Sequence, residues 1–508
     1  MVDRFRPVSI EELPSHLILE ILCSGRLSAI DLACLELTSK TFGGSHGLYP
    51  FKFSSLVDFA AFQLCASHII YSKTSLNSQK ELYDRCGANW KRVLRFLQSV
   101  EQSSEMVETS AGNMQITTGK YHTLLISNSS VYSCGSGLSG VLGQGPETQC
   151  VAFTRISFPP LARVVHVSAS FNHAAFVMQS GEVFTCGDNS SSCCGHSDTS
   201  RPISRPRLVE SLKGVPCKQP ASLRSLVKIL KYEKMSQVAA GLNFTVFLTR
   251  QGHVYTCGTN SHGQLGHGDS QDRPTPKMIE VLGNADPVVQ IAAGPSYILA
   301  VTVNGAVYSF GSGANFCLGH GEQHNEFLPR AIQKFRRKGI HVVRVSAGDE
   351  HAVALDSNGF VYTWGKGYCG ALGLGDEIEK TTPEIVTGLK NHLAVQVCAR
   401  KRKTFVLIDS GSVYGFGSMG FGSLGFLDRG VYDKILKPRI LDTLKTHHVS
   451  QISTGLYHTV AITSSGRIFG FGDNERAQLG HDTLRGCLEP TEIFVKEDSS
   501  QENIDPDI

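Results

Sequence analysis

One pattern recurs seven times along this 508-residue chain, and it limits the fold more than any other feature. Its clearest copy, Val238 to Asp269, reads VAAGLNFTVFLTRQGHVYTCGTNSHGQLGHGD; another, VSAGDEHAVALDSNGFVYTWGKGYCGALGLGD, starts at Val345. The others begin at Ile116, Val167, Ile291, Val397 and Ile452. Each copy holds a β-branched residue followed by an aromatic: Val131-Tyr132, Val183-Phe184, Val254-Tyr255, Val307-Tyr308, Val361-Tyr362, Val413-Tyr414 and Ile468-Phe469. A glycine follows three residues later in every copy, from Gly135 to Gly472. Two apolar runs around a glycine turn (Gly181, Gly252, Gly305, Gly359, Gly411, Gly466) read as a β-hairpin. Copy one has Asn128-Ser129-Ser130 there instead, so its turn should differ. One hairpin cannot bury both faces. A closed ring of such sheets can, and closure protects the edges.

Composition agrees. Glycine is 51 of 508 residues and only 18% are charged, which suits short strands and tight turns. Lys plus Arg is 48 against 45 Asp plus Glu, a net charge of +3. That balance disfavours a general nucleic-acid binder, and a charge-driven partner must be held by local patches. No apolar run approaches the roughly 18 residues of a membrane span. With no leader-like start, the 15 cysteines are expected to be thiols of an intracellular protein, nuclear or cytoplasmic.

The repeat resembles that of the regulator-of-chromosome-condensation family, whose members form seven-bladed β-propellers with four antiparallel strands per blade. The resemblance spans Ile116 to Val495 and implies a mainly β propeller over residues 111–495. Each copy is followed by a Pro-bearing strand candidate, such as Pro276 to Val281, Pro329 to Ile332, Pro383 to Val386 and Pro438 to Leu441. Copy one has no such strand before it, and Pro490 to Val495 follows copy seven. That C-terminal strand is expected to complete the first blade and close the ring, so removing residues 483–508 should damage the whole propeller. The acidic, polar stretch of residues 496–508 should be disordered.

Residues 9–43 read SIEELPSHLILEILCSGRLSAIDLACLELTSKTFG. Ser9 and Glu12, then Ser28 and Asp31, have capping-box spacing. Leu13, Leu17 and Ile21 form one stripe, widened by Ile18, Leu19 and Leu22. So short a unit cannot bury this much apolar surface alone, and some of it should meet a partner. Leu13-Pro14, Leu17 to Leu22, Asp31-Leu32, Leu35-Glu-Leu37 and Phe42 resemble an F-box, which often has tryptophan at the Phe42 position. Gly43-Gly44 should end the third helix. The resemblance implies that residues 1–50 bind a Skp-type adaptor, and through it a cullin, by Leu13, Pro14, Ile18, Ile21, Leu32, Leu35 and Phe42. Residues 51–110 read as a helical spacer, with Phe59, Phe62, Ile69 and Ile70 in one helix. Trp90, Val93, Leu94 and Leu97 mark a second over Glu81 to Gln102.

No enzyme site emerges, and neither a cofactor nor a metal is expected. There is no P-loop, no G-x-S-x-G and no paired CxxC. Cys134, Cys186 and Cys257 share a repeat position with Phe310, Trp364, Phe416 and Phe471, an apolar slot. Cys193-Cys194 also reads as core. His122, His173, His351 and His458 share a position with Phe244 and Tyr297, which reads as packing with an optional hydrogen bond. Two basic runs break the repeat. One is Lys334 to Lys338, containing Arg336, Arg337 and Lys338. The other, Arg400-Lys401-Arg402-Lys403, replaces a Gly-x-x-His turn and should carry about 1 kcal/mol of backbone cost for the lost glycine. The 71-residue interval between copies two and three holds an insertion, about residues 213–234, where SLRSLVKILKYEK reads as a basic amphipathic helix with Lys228 and Lys231. These cations are candidate partner contacts.

The resemblance to F-box proteins with such propellers, an arrangement found in plants, implies a substrate-recognition subunit of a Skp-cullin-F-box ubiquitin ligase. The propeller would hold the target. The alternatives are a guanine-nucleotide exchange factor for a small GTPase, or a chromatin or nuclear scaffold. Ultraviolet-B sensing, another family role, uses clustered tryptophans, and this chain has only Trp90 and Trp364.

Overall fold

The computed structural model describes residues 10, 13–38, 40–43, 53–102, 107–109, 112–146, 149–160, 162–213, 235–427 and 434–495. Ser9, Glu12, the inserted segment with Lys228 and Lys231, and the tail 496–508 lie outside them. The chain divides into a helical unit within Met1–Glu101, joined by Ser357–Gly359, and a β unit comprising the rest.

The helical unit contains α1 (Ser15–Leu22), α2 (Ala29–Thr38), α3 (Lys40–Gly43), α4 (Leu56–Ser67), α5 (Ile69–Lys73), α6 (Leu76–Arg85) and α7 (Trp90–Gln102). Helix α1 starts behind Pro14, the position where a missing N–H costs nothing. Ser28 and Asp31 cap α2 reciprocally: Ser28 Oγ accepts the Asp31 amide at 3.1 Å and Asp31 Oδ2 accepts the Ser28 amide at 2.8 Å. Helix α3 ends at Gly43. The helix expected over Glu81 to Gln102 is two, because Gly87 and Ala88 take positive φ (68° and 52°) and turn the chain. Asn89 Oδ1 then accepts the Arg92 amide at 3.0 Å and restarts the helix.

Helices α1 to α3 and the helices that follow them pack as one body. Helices α1, α2 and α3 all lie on α4. The Ala29 amide donates to Gln98 Oε1 at 3.1 Å, and Lys91 bridges Glu36 (2.9 Å) and Asp58 (3.6 Å). Ile18, Leu22, Leu32, Phe42, Val57, Val93 and Leu97 are buried. Each such side chain contributes about 1.5–3 kcal/mol by leaving water.

The β unit is a ring of seven antiparallel sheets, blades one to seven: residues 112–155, 164–208, 235–278, 288–331, 342–385, 394–440 and 449–493. Each repeat copy supplies the first three strands of its blade, and in blades two to seven a Pro-bearing segment supplies the outer fourth. Blade one adds a short strand, Val107–Thr109, beside its first. Copy one's turn does differ: Asn128 and Ser129 both take positive φ (48° and 70°), and Ser127 pairs with Ser130 across a two-residue hairpin.

The expected closure is corrected by the sheet order. Strand Cys487–Ile493 pairs with Ile468–Gly472 as the fourth strand of blade seven, not of blade one. Blade one takes its fourth strand, Gln149–Arg155, from its own repeat. The ring closes through side chains. In six of the seven repeats the first residue donates its amide to the polar side chain that precedes the repeat start in the previous blade; copy six, behind Arg344 of blade five, is the exception. Val167 donates to Gln115, Ile291 to Gln237, Val345 to Gln290 and Ile452 to Gln396, at 2.9–3.2 Å, and Val238 donates to His166 at 3.4 Å. At the seam, Ile116 donates to Gln451 at 2.9 Å in the same way. No shared strand is needed, because these buried amides already have acceptors.

A second clasp explains the recurring histidine. His173 Nε2 meets Thr245 Oγ1 (2.8 Å), His351 Nε2 meets Thr404 Oγ1 (2.8 Å) and His458 Nε2 meets Thr123 Oγ1 (2.9 Å), each across a blade junction. The hydroxyls donate to the carbonyls of Cys193, Ala371 and Gln478 respectively. A hydroxyl has one proton, so the ring must donate to it. Phe244 and Tyr297 occupy the position where the next blade offers Ile298 and Ala352 rather than threonine. His122 is the exception: it faces Ala174, and its buried Nε2 has no hydrogen-bond partner. Cys134, Cys186 and Cys257 fill the interior like their aromatic counterparts. Cys193 and Cys194 are buried too, both thiols donating to the Asp188 carbonyl.

Candidate partner-binding face of the propeller

At one end of the ring the first strand of each blade turns into its second. The turn tips are Lys120-Tyr121, Phe171-Asn172, Leu242-Asn243, Pro295-Ser296, Asp349-Glu350, Lys401-Arg402 and Leu456-Tyr457. In six blades the turn opens with glycine or serine. The five glycines there do not adopt positive φ. They are small because the ring three residues on packs against them: a Cβ on Gly348 would lie 2.6 Å from the His351 ring, and one on Gly241 would lie 2.2 Å from the Phe244 ring. The backbone cost expected at Arg400 is therefore misplaced. Arg400 gains its Cβ where the ring is replaced by the thin chain of Lys403. The left-handed residue is Lys401, at φ 51°. Arg400 pairs with Lys403 as an extra ladder rung, tightening this turn to two residues as in no other blade.

The four cations separate in role. Arg400 and Lys403 are buried, at 7% and 2% exposure, and are not available to a partner. Arg400, on blade six, lays its guanidinium 4.7 Å from the ring centre of Phe171 on blade two, and so crosses the mouth of the ring. Asp349 lies 3.8 Å from it, yet its Nε and Nη2 make no hydrogen bond. Burial, then the neighbouring Lys401, holds the Lys403 ammonium well below the usual lysine range; Nζ has the His458 carbonyl at 3.4 Å. Lys401 and Arg402 reach solvent. Lys401 Nζ sits 3.9 Å from the ring centre of Tyr457 and 5.7 Å from that of Phe421. Burial lowers its affinity for a proton, helped by Arg402. The Arg402 guanidinium lies 4.6 Å from the Tyr368 ring and bonds Glu350 at 3.3 Å. Burial pushes Glu350 up, but its bonds from Lys366 and Arg402 outweigh that and hold its carboxyl below the usual range.

The rings continue the arc. Tyr457 stacks on Tyr121 with centroids 5.8 Å apart and planes 12° apart, and meets Phe421 edge-on at 4.9 Å. Lys120 and Arg476 flank Tyr121 at 4.8 and 5.7 Å. Cations and rings thus alternate over blades five, six, seven and one. Tips of blades two to four carry neutral residues. The aromatic members were not singled out from sequence; the signal was their place at the tips beside the basic turn.

Other candidate residues lie elsewhere. Arg336, Arg337 and Lys338 are exposed at the end of a short helix, Gln333–Arg337, on a link between blades, and Lys334 pairs with Glu384 at 2.6 Å. On the helical unit, Ile18, Leu32 and Phe42 are buried and are corrected from adaptor contacts to core; they fill the space between the helices. Leu13 and Leu35 are half-buried, and Pro14 and Ile21 are exposed. Leu17, Ile30 and Leu37, not singled out as contacts, join Ile21 as exposed apolar residues at 38%, 58%, 87% and 42% exposure. Among the described residues no helix is long and apolar enough to cross a membrane.

The profile of the RCC1-like domain matches residues 288–505, and that of the regulator of chromosome condensation (RCC1) repeat matches 180–248 and 251–301. The ultraviolet-B receptor UVR8 of Arabidopsis thaliana is 32% identical over 350 residues, 68% of this chain and 73% of the receptor. The E3 ubiquitin-protein ligase HERC2 of Homo sapiens is 30% identical over 340 residues, 66% of this chain but only 6% of the ligase. Among solved structures, Prp20p of Saccharomyces cerevisiae superposes with a TM-score of 0.62 at 20% identity, covering 79% of this chain and 90% of that one. Repeat, blade architecture and the likeness to the receptor agree: the chain belongs to the family of proteins built on the regulator of chromosome condensation repeat.

Proposed function

We propose that this chain is the target-recognition subunit of a ubiquitin ligase of the Skp-cullin-F-box type. The N-terminal helices bind the adaptor and the propeller holds the protein to be modified. One observation carries the reading: Leu17, Ile21, Ile30 and Leu37 are exposed on a helical unit whose core Ile18, Leu22, Leu32 and Phe42 already fill. Apolar side chains left over after a core is complete mark a surface for a partner. That ubiquitin ligases occur among the relatives, HERC2 included, is compatible with a recruiting propeller. Tethering raises the target's effective concentration at the ligase without any chemistry in this chain. Ultraviolet sensing is not adopted, because Trp364 is buried alone, bonding the Cys317 carbonyl at 2.7 Å, and Trp90 belongs to the helical unit. The test is capture of purified Skp-type adaptor by the full chain and by Leu17→Asp/Ile21→Asp/Leu37→Asp. These positions are exposed, so the variant should keep its helical circular dichroism and lose the adaptor. Undiminished capture would end the proposal.

A further inference from the structure

We infer that the arc over blades five, six, seven and one is where the propeller takes its target, and that the segment it takes is an acidic stretch of protein chain with an apolar or aromatic side chain beside its anionic groups. This deepens the reading of the propeller as the target-holding half and rests on it.

The arc offers both halves of such a contact. Lys401 and Arg402 are solvent-reaching cations held in place by rings, so little side-chain entropy is left to lose when an anion pairs with them. Phe421 and Tyr368 are 60% and 49% exposed on the same arc, large apolar area that a partner side chain would cover. The turn that presents the cations is the one that departs from the repeat, with a non-glycine residue at positive φ and an extra rung. Such a conformation is disfavoured for a residue with a side chain and persists at sites where the side chain's placement matters. Beneath it, the buried Arg400 adds a positive charge whose Nε and Nη2 are unsatisfied. The same arc carries Asp349, Glu350, Asp473 and Glu475 between its cations. Those carboxylates repel a continuous phosphate backbone but leave room for a discrete anion, which favours a protein segment over a nucleic acid.

The experiment selects random dodecamer peptides displayed on phage against the immobilised full chain, then measures the best peptide by fluorescence anisotropy. Enrichment of Asp and Glu next to Phe, Tyr or Leu is expected. Lys401→Gly/Arg402→Gln, in which glycine keeps the positive φ, should weaken the selected peptide about tenfold or more. Arg336→Glu/Arg337→Glu should not weaken it. Replacing one Glu of that peptide by phosphoserine separates the anion's source: tighter binding assigns a phosphate, equal or weaker binding a carboxylate. No acidic enrichment, indifference to the Lys401/Arg402 variant, or competition by a single-stranded oligonucleotide at lower concentration than by the peptide would overturn the inference. The same protein is tested for adaptor capture. Capture without acidic enrichment sinks this inference alone, and enrichment without capture sinks the ligase reading and leaves the peptide site.

Discussion

Ala174→Thr should stabilise the propeller, and the repeat itself says why. His122 Nε2 is buried without a partner, whereas the same nitrogen in His173, His351 and His458 meets a threonine of the next blade at 2.8–2.9 Å. Ala174 stands at the threonine position. The side chain fits, because Thr123 lies opposite Cys134 and Thr245 opposite Cys257, the same pairing as Ala174 with Cys186. An acceptor for the new hydroxyl is also in place: the Val141 carbonyl, which Cys186 Sγ already approaches at 3.5 Å, corresponds to the Gln478 and Cys193 carbonyls used elsewhere. One net hydrogen bond is worth about 1 kcal/mol, and relieving a buried orphan donor adds up to about 1 kcal/mol more. With an unfolding entropy of roughly 2.1 cal/mol/K per residue over about 380 residues, a gain of about 1.5 kcal/mol raises Tm by about 2 °C. Differential scanning calorimetry of the full chain reads this directly. The gain should vanish in the His122→Phe background, since Phe cannot use the hydroxyl. An unchanged or lowered Tm, or a gain that survives His122→Phe, would refute the clasp.

Acid should loosen the ring for a related reason. Burial holds His122 down to about 3 and His351 to about 4, and places His458 well below its usual value, against 6.5 for a free histidine. The unfolded chain therefore takes up protons first, so this stability is complete above pH 6.5 and declines from there toward pH 4. Urea midpoints should fall between pH 7 and 4.5, and fall less in His122→Phe/His351→Phe; equal slopes would reject histidine as the cause. Lys403→Met should raise Tm, because it removes a buried ammonium with one acceptor at 3.4 Å while keeping the chain's length; a lower Tm would mean that the ammonium is better satisfied than its geometry shows. Removing residues 487–508 should bare the edge of strand Ile468–Gly472 and cause self-association in light scattering, while the Ile116 amide stays protected from hydrogen exchange by Gln451. Lost protection at Ile116 would show that the outer strand holds the seam.

The hairpins and the count of blades were legible because apolar alternation and turn glycines repeat at fixed spacing. Ring closure was misread because a search for an unpaired strand looks at apolar runs, whereas the seam is made by single polar residues such as Gln451 just before each copy. Those glutamines look like ordinary solvent-facing strand positions until the neighbouring blade is beside them. Lys403 was readable in principle: it stands where His122 and His458 stand, a position already assigned to packing, so its charge had to be buried. Ile18 and Leu32 show the other limit. A stripe that is apolar on most of its circumference does not say which part meets its own core and which part, like Leu17 and Ile30, is left outside.

Every blade here is finished by its own contiguous stretch of chain. A ribosome therefore releases complete blades in succession, and every blade but the fifth, which has Arg344 there, holds out a glutamine, or in blade two a histidine, to the one that follows. Only the last has to reach back, to an amide made 335 residues earlier. Circular permutants cut between any two blades, with the old ends linked, should then sacrifice no strand and assemble in a different order toward the same ring.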